Sequence, residues 1–196
     1  GGTAVRPRCV AAIGPSPCRP GSAATKRQLG SASIASPAPS PTPALQRVAA
    51  DAVTEAIAAL NADGVVVVDD LVDSEVVEAI NAEVQPFVDN ADPSMRHLNP
   101  GVQLFHADTR HVTGLAAKSP TFATKVMVHP LLLAICDGIL GPSCARYQLN
   151  LAHLLERLPG AGEQFWHRDE IVWNLVPVPK PELQVASVIA LVDFTT

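Results

Sequence analysis

The stretch NADGVVVVDDLVDSEVVEAINAEV, residues 61–84, decides the fold. Val65, Val66, Val67 and Val68 form a short β-branched run between Gly64 and the pair Asp69-Asp70, the pattern of a strand covered on both faces. Upstream, Leu45, Val48, Ala49, Ala52, Val53, Ile57 and Leu60 recur at helical spacing until Asn61, Asp63 and Gly64, which predicts an amphipathic helix beginning at Ala44. Downstream, Asp73 or Ser74 is placed to cap a second helix with Val76, Val77, Ile80, Val84 and Phe87 on its inner face. The expected order is helix, strand, helix.

Residues 89–119 are polar and interrupted by Pro93, Pro100, Gly101 and Gly114, and they read as a long loop holding His97, His106, Arg110 and His111. Pro120 and Pro130 each suit the first turn of a helix. Leu131, Leu132, Ile135 and Ile139 give the second of these a buried face before Gly141-Pro142 ends it. His129 falls at that helix start. Beyond it, Tyr147, Leu149, Leu151 and His153 alternate with polar or small residues as in a strand, with His153 read as a core histidine, and Pro159-Gly160 marks a turn. Further strands are expected over 164–168 and 183–194. Helices first and strands after them imply an α+β domain.

Composition narrows the function. The chain has 196 residues, 47% apolar and 17% charged, a balance that argues against wholesale disorder and against a charge-driven nucleic-acid binder. No apolar run approaches the roughly 18 residues of a membrane-spanning helix. The net charge is -5, yet Arg6, Arg8, Arg19, Lys26, Arg27 and Arg47 lie in the first fifty residues with no acid among them, which leaves -11 for the remainder. Eight of the 18 prolines also fall within residues 1–43, whereas every aromatic residue lies beyond position 86. Residues 1–43 are therefore expected to be a disordered Ser/Ala/Pro-rich tail, with the composition of an organelle transit peptide or of a plain linker. Residues 44–196 are expected to be the folded domain. Cys9, Cys18, Cys136 and Cys144 lack zinc-ligand spacing and read as free thiols.

The chemistry is concentrated in GEQFWHRDE, residues 162–170. On an extended segment, His167 and Asp169 point to the same face, so that one imidazole and one carboxylate can meet one ion. With a second histidine this is the donor set of a facial triad, which holds non-haem Fe(II) and leaves positions open for co-substrate and oxygen. The chain repeats the pattern at His106-Ala107-Asp108. His167 is preferred because it enters a predicted strand from a turn, beside Phe165 and Trp166, and so sits on a rigid platform. A binuclear or zinc hydrolase would need more His and carboxylate ligands around position 167 than the sequence shows.

Three blocks together resemble the phytanoyl-CoA dioxygenase family: the opening stretch 61–84, QLNLAHLLERLPGAGEQFWHRDE at 148–170, and ASVIALVDFTT at 186–196. The resemblance covers roughly residues 45–196. It implies a double-stranded β-helix, or jelly roll, with packing helices N-terminal to it, and a small-molecule or acyl-thioester substrate oxidised with Fe(II), 2-oxoglutarate and O2. His167 and Asp169 match the family's first two iron ligands. Gln164 matches a glutamine that contacts co-substrate or substrate, although a fully extended segment would turn it away from His167. Arg110 resembles a basic position that approaches 2-oxoglutarate or substrate, and a solvated loop arginine is the equal alternative. Trp166 and Trp173 either line the mouth of the site or pack at its rim. The family's third iron ligand, a histidine, and its 2-oxoglutarate-pairing arginine fall further toward the C-terminus than Thr196. The chain is accordingly expected to be an incomplete barrel that folds poorly alone, either a piece of a dioxygenase or an inactive remnant with a binding or structural role.

Overall fold

A computed structural model describes residues 44–92, 108–162, 169 and 173–193, together with the backbone of 8–12. At its centre is the valine run, strand β3 (Val65–Asp69), with Val66 and Val68 wholly buried and Val67 nearly so. A strand covered on both faces needs apolar residues at successive positions rather than alternate ones, which is why the run is continuous. It pairs in parallel with β2 (Arg47–Ala49) and antiparallel with β1 (Arg8–Ala12). β1 pairs in turn with β6 (Ala186–Ile189), giving the sheet order β2-β3-β1-β6.

Helix α1 (Val53–Asp63) precedes β3 and buries Ala56, Ala59 and Leu60. It ends where Gly64 adopts φ +74°, a left-handed conformation that lets its N–H reach the Leu60 carbonyl at 2.8 Å. Helix α2 (Ser74–Asp89) buries Val77, Ile80, Val84 and Val88. Asn81 Nδ2 donates to the Leu191 carbonyl at 2.8 Å, tying α2 to the segment after β6. Helix α4 (Pro130–Ile139) turns Leu131, Ile135 and Ile139 into the same core, and His129 caps it, its Nδ1 accepting from the Leu131 N–H at 3.3 Å. Where α4 crosses α1, a Cβ on Gly138 would stand 2.5 Å from Ile57 Cδ1, so a side chain there would force the end of Ile57 to shift.

Between α2 and α4 lie strand β4 (Thr109–Thr113), the single turn α3 (Leu115–Lys118) and a π-helical turn, Phe122–Val126. Glu83 of α2 fastens this region. Its carboxylate accepts from the Ser119 hydroxyl, from the Thr121 hydroxyl at 2.7 Å and from the Thr121 N–H at 3.1 Å. Ser119, fully buried, also accepts from the Phe122 N–H at 3.0 Å. Strand β5 (His153–Arg157) pairs antiparallel with β4 as a separate two-stranded sheet.

The structure corrects several expectations. The helix foreseen from Ala44 begins only at Val53, because Arg47–Ala49 joins β3 as a strand and leaves Leu45 half exposed. Helical spacing in those few residues is outweighed by the backbone hydrogen bonds and the Arg47–Asp69 ion pair (Nε to Oδ2, 3.0 Å) that the sheet offers. Phe87 lies on the outer side of α2 at 41% exposure, and Val88 takes the inward place. The region 89–119 contains β4 and α3 rather than loop alone. Residues 147–151 are exposed and unpaired, and the strand starts at His153. Of the strand expected over 183–194, Ala186–Ile189 forms, while the strand expected at 164–168 lies outside the described residues. Within the segment expected to be a tail, Arg8–Ala12 is a strand of the main sheet. The architecture is α+β, with mixed helices and two small sheets. Among the described residues, Cys136 and Cys144 are free thiols, and no helix is long and apolar enough to cross a membrane.

Candidate functional site

The β4–β5 ladder sets out the site. Its register pairs Arg110 with Glu156, His111 with Leu155, Val112 with Leu154 and Thr113 with His153. Because side chains alternate, Arg110, Val112, Leu154 and Glu156 share one face, and His111, Thr113, His153 and Leu155 share the other. Val112 is buried in the core and Leu154 packs against it, so the first face looks toward the helices. There Arg110 Nη1 lies 2.8 Å from Glu156 Oε2. The pair is partly exposed and contributes little stability of its own, about 0–1 kcal/mol. Arg110 Nε is buried and has no hydrogen-bond partner among the described residues, a donor left for an acceptor to satisfy.

On the opposite face His111 Nε2 and His153 Nδ1 are 2.9 Å apart, with the rings nearly edge to face, 4.8 Å between centroids at 73°. Burial pushes both imidazoles below the ordinary histidine pKa, and at His111 the neighbouring ring adds to the effect. At His153 the Asp169 carboxylate acts the other way, favouring the charged form. Asp169 itself is exposed. His111 also borders an open cavity of about 420 Å3 beside the last turn of α2, lined by Phe87, Asn90, Thr113 and Lys118 among others. The Lys118 ammonium sits 5.4 Å from the centre of the Phe87 ring and donates to the Thr113 carbonyl.

Of the residues singled out from sequence, Arg110 and Asp169 are described, and His167, Gln164, Trp166 and His106 lie outside the described residues. Trp173 is half buried, its indole N–H donating to Gln184 Oε1 at 3.0 Å and its carbonyl accepting from Lys180 at 3.3 Å. Among the described residues no group of three or more His, Cys, Asp or Glu side chains is arranged to hold a metal. Sequence reading missed the His111–His153 pair. It assigned one residue to a loop and the other to the core, and the signal that was available, alternation across Thr109-Arg110-His111-Val112-Thr113, acquires meaning only with the register of β5.

Comparison with known proteins places these residues in a family context. The family model described as phytanoyl-CoA dioxygenase (PhyH) matches residues 60–196. The dioxygenase olcK of Penicillium canescens is 32% identical over 139 residues, covering 69% of this chain and 46% of that protein. The dioxygenase cdmA of Talaromyces verruculosus is 29% identical over 161 residues, 80% of this chain and 55% of the relative. The iron/alpha-ketoglutarate-dependent dioxygenase ausU of Aspergillus calidoustus is 26% identical over 157 residues, 77% of this chain and 52% of its own length. The chain thus spans about half the length of the curated relatives it matches.

Proposed function

Because this chain belongs to the phytanoyl-CoA dioxygenase family, we propose that it carries the first two iron ligands, His167 and Asp169, of an Fe(II)- and 2-oxoglutarate-dependent dioxygenase that hydroxylates or otherwise oxidises a small organic molecule or acyl thioester. The two small sheets are read as parts of a double-stranded β-helix, with residues 44–196 as its dioxygenase portion. The observation that carries the reading is the family match, whose span, residues 60–196, includes His167 and Asp169.

The residues present fit the cofactor chemistry. An imidazole and a carboxylate are a donor pair suited to ferrous iron. Arg110, whose buried Nε has no hydrogen-bond partner among the described residues, is assigned to 2-oxoglutarate or substrate by the family resemblance alone, from the face of the ladder opposite His153. Glu156 holds the guanidinium from its other side and fixes its orientation. Gln164 is assigned to the same co-substrate or to the substrate. When bound, iron and 2-oxoglutarate supply the activation of dioxygen. The protein's own residues hold the ligands, orient the co-substrate carboxylate and shape the cavity in which the substrate meets it.

Anaerobic titration of the chain with Fe(II) in the presence of 2-oxoglutarate tests this. The expected result is the weak visible charge-transfer band of a chelated complex, absent in His167→Ala. A band that His167→Ala retains overturns the reading.

A further inference from the structure

Phe87 faces away from the core that its helix serves. α2 sends Val84 and Val88 inward and leaves the Phe87 ring 41% exposed in its last turn, where a large aromatic side chain forgoes part of the stabilisation that burial would give. The ring stands at the open cavity of about 420 Å3, a volume within the usual range for small-molecule sites. Phe87 and Asn90, three apart at the end of α2, present one face of the helix to it. His111 and Thr113, two apart on β4, present one face of the strand. Gly114, at φ +67°, then turns the chain into α3 and brings Lys118 to the same cavity.

Lys118 supplies the positive charge of the lining. Its ammonium is held at two points, donating to the Thr113 carbonyl and standing 5.4 Å from the centre of the Phe87 ring. Neither contact neutralises it. Among the described residues it has no carboxylate partner, because the α2 acids on either side of Phe87 are engaged elsewhere. Glu83 accepts from Ser119 and Thr121, and Asp89 accepts from Gln85 Nε2 at 2.7 Å. An ammonium has three donors, so one held by a single hydrogen bond keeps two for a ligand. Asn90 is fixed in a similar way, Nδ2 donating to the Pro86 carbonyl at 2.6 Å, and it retains a second N–H.

We propose that this cavity binds an aromatic carboxylate, with the carboxylate on the Lys118 ammonium and the ring against Phe87. The cation sets the sign of the ligand, and the exposed aromatic beside it sets the character of the rest. A carboxylate at Lys118 gains a charge-assisted hydrogen bond, and an aromatic body covers the apolar area that Phe87 leaves in water. An inorganic anion meets the first requirement only. The cavity is formed without His167 or Asp169, so the proposal stands independently of the iron reading.

Calorimetric titration of the full chain with 2-naphthoate tests it, with 2-naphthamide as the uncharged counterpart and inorganic phosphate as an anion without a ring. Expected are saturable binding of one equivalent of naphthoate, about 10-fold weaker binding of naphthamide, and no saturable binding of phosphate. Lys118→Met is expected to lower naphthoate to the affinity of naphthamide while leaving naphthamide unchanged, and Lys118→Arg to restore the preference. Phe87→Ala is expected to weaken both ring-bearing probes by about 5-fold. Comparing the two probes within one variant separates loss of the charge contact from any general loss of folding. Naphthoate that does not saturate, binds no better than naphthamide, or keeps its preference in Lys118→Met overturns the proposal. So does phosphate bound as tightly as naphthoate, or naphthoate binding that Phe87→Ala leaves unchanged.

Discussion

The layer around β3 and the β4–β5 ladder are built from different materials. In the first, Leu60, Val66, Val68, Ile80 and Ile135 are almost wholly buried and touch one another across four elements. In the second, one face offers an ion pair and a buried donor without a partner among the described residues, and the other offers two imidazoles bonded to each other. Apolar burial is nondirectional and tolerates modest changes in geometry. A ladder of polar side chains depends on register, since slipping by one residue would send His111 and His153 to the helical face and Arg110 to the other. The first region makes the fold stable, and the second uses that stability to hold polar groups in fixed positions.

If that division is right, substitutions in the helical layer should cost stability and those in the ladder should cost metal chemistry. Ile135→Ala is expected to lower unfolding stability by about 2–5 kcal/mol in a denaturant titration, because it opens a cavity at a site with no exposure. Gly138→Val, which drives a side chain into Ile57 at the α1–α4 crossing, is expected to cost about 1–3 kcal/mol. Ser119→Ala should cost about 1 kcal/mol, since it removes the acceptor of the Phe122 N–H and a donor to Glu83.

The Glu83 carboxyl is held below its ordinary value of 4.5, first by the Ser119 hydroxyl and then by that of Thr121. A carboxyl lowered on folding stabilises the protein above its unfolded pKa, and that contribution is lost as pH falls through the folded value. Thermal melts should therefore lose stability on acidification below about pH 4.5, and Glu83→Gln should flatten this acid limb while lowering stability at neutral pH. The smallest effect is expected from Glu156→Gln, under about 1 kcal/mol in the same melts, because the Arg110 pair is partly solvated. A loss of several kcal/mol there would erase the contrast between the two regions.

The helical layer was largely legible in the sequence because burial writes a period. The valine run, the spacing of Val77, Ile80 and Val84, and Leu131, Ile135 and Ile139 all fell where periodicity put them. The errors arose where periodicity is ambiguous. Arg47-Val48-Ala49 is too short for its spacing to distinguish helix from strand, and the parallel partner that decides it lies on β3. Phe87 and Val88 adjoin on the helix, and which of them turns inward depends on packing. For the site, His-x-Asp was visible as a motif, while the His111–His153 contact was not. His111 and His153 are far apart in the chain, and only the ladder shows them as neighbours.

The place of β1 in the main sheet bears on how the chain is made. Cys9, Val10 and Ala11 pair with Val68, Val67 and Val66 on one side and with Ile189, Val188 and Ser187 on the other. At ribosomal speeds of about 5–20 residues per second, β1 meets its first neighbour within seconds but waits roughly 9–35 s for β6 to be synthesised. Through that interval one edge of the nascent sheet is open to any extended segment that reaches it, a hazard usually met by covering or charging the edge. A sheet whose neighbouring strands β1 and β6 stand so far apart in the chain is thus most exposed to mispairing during its own translation.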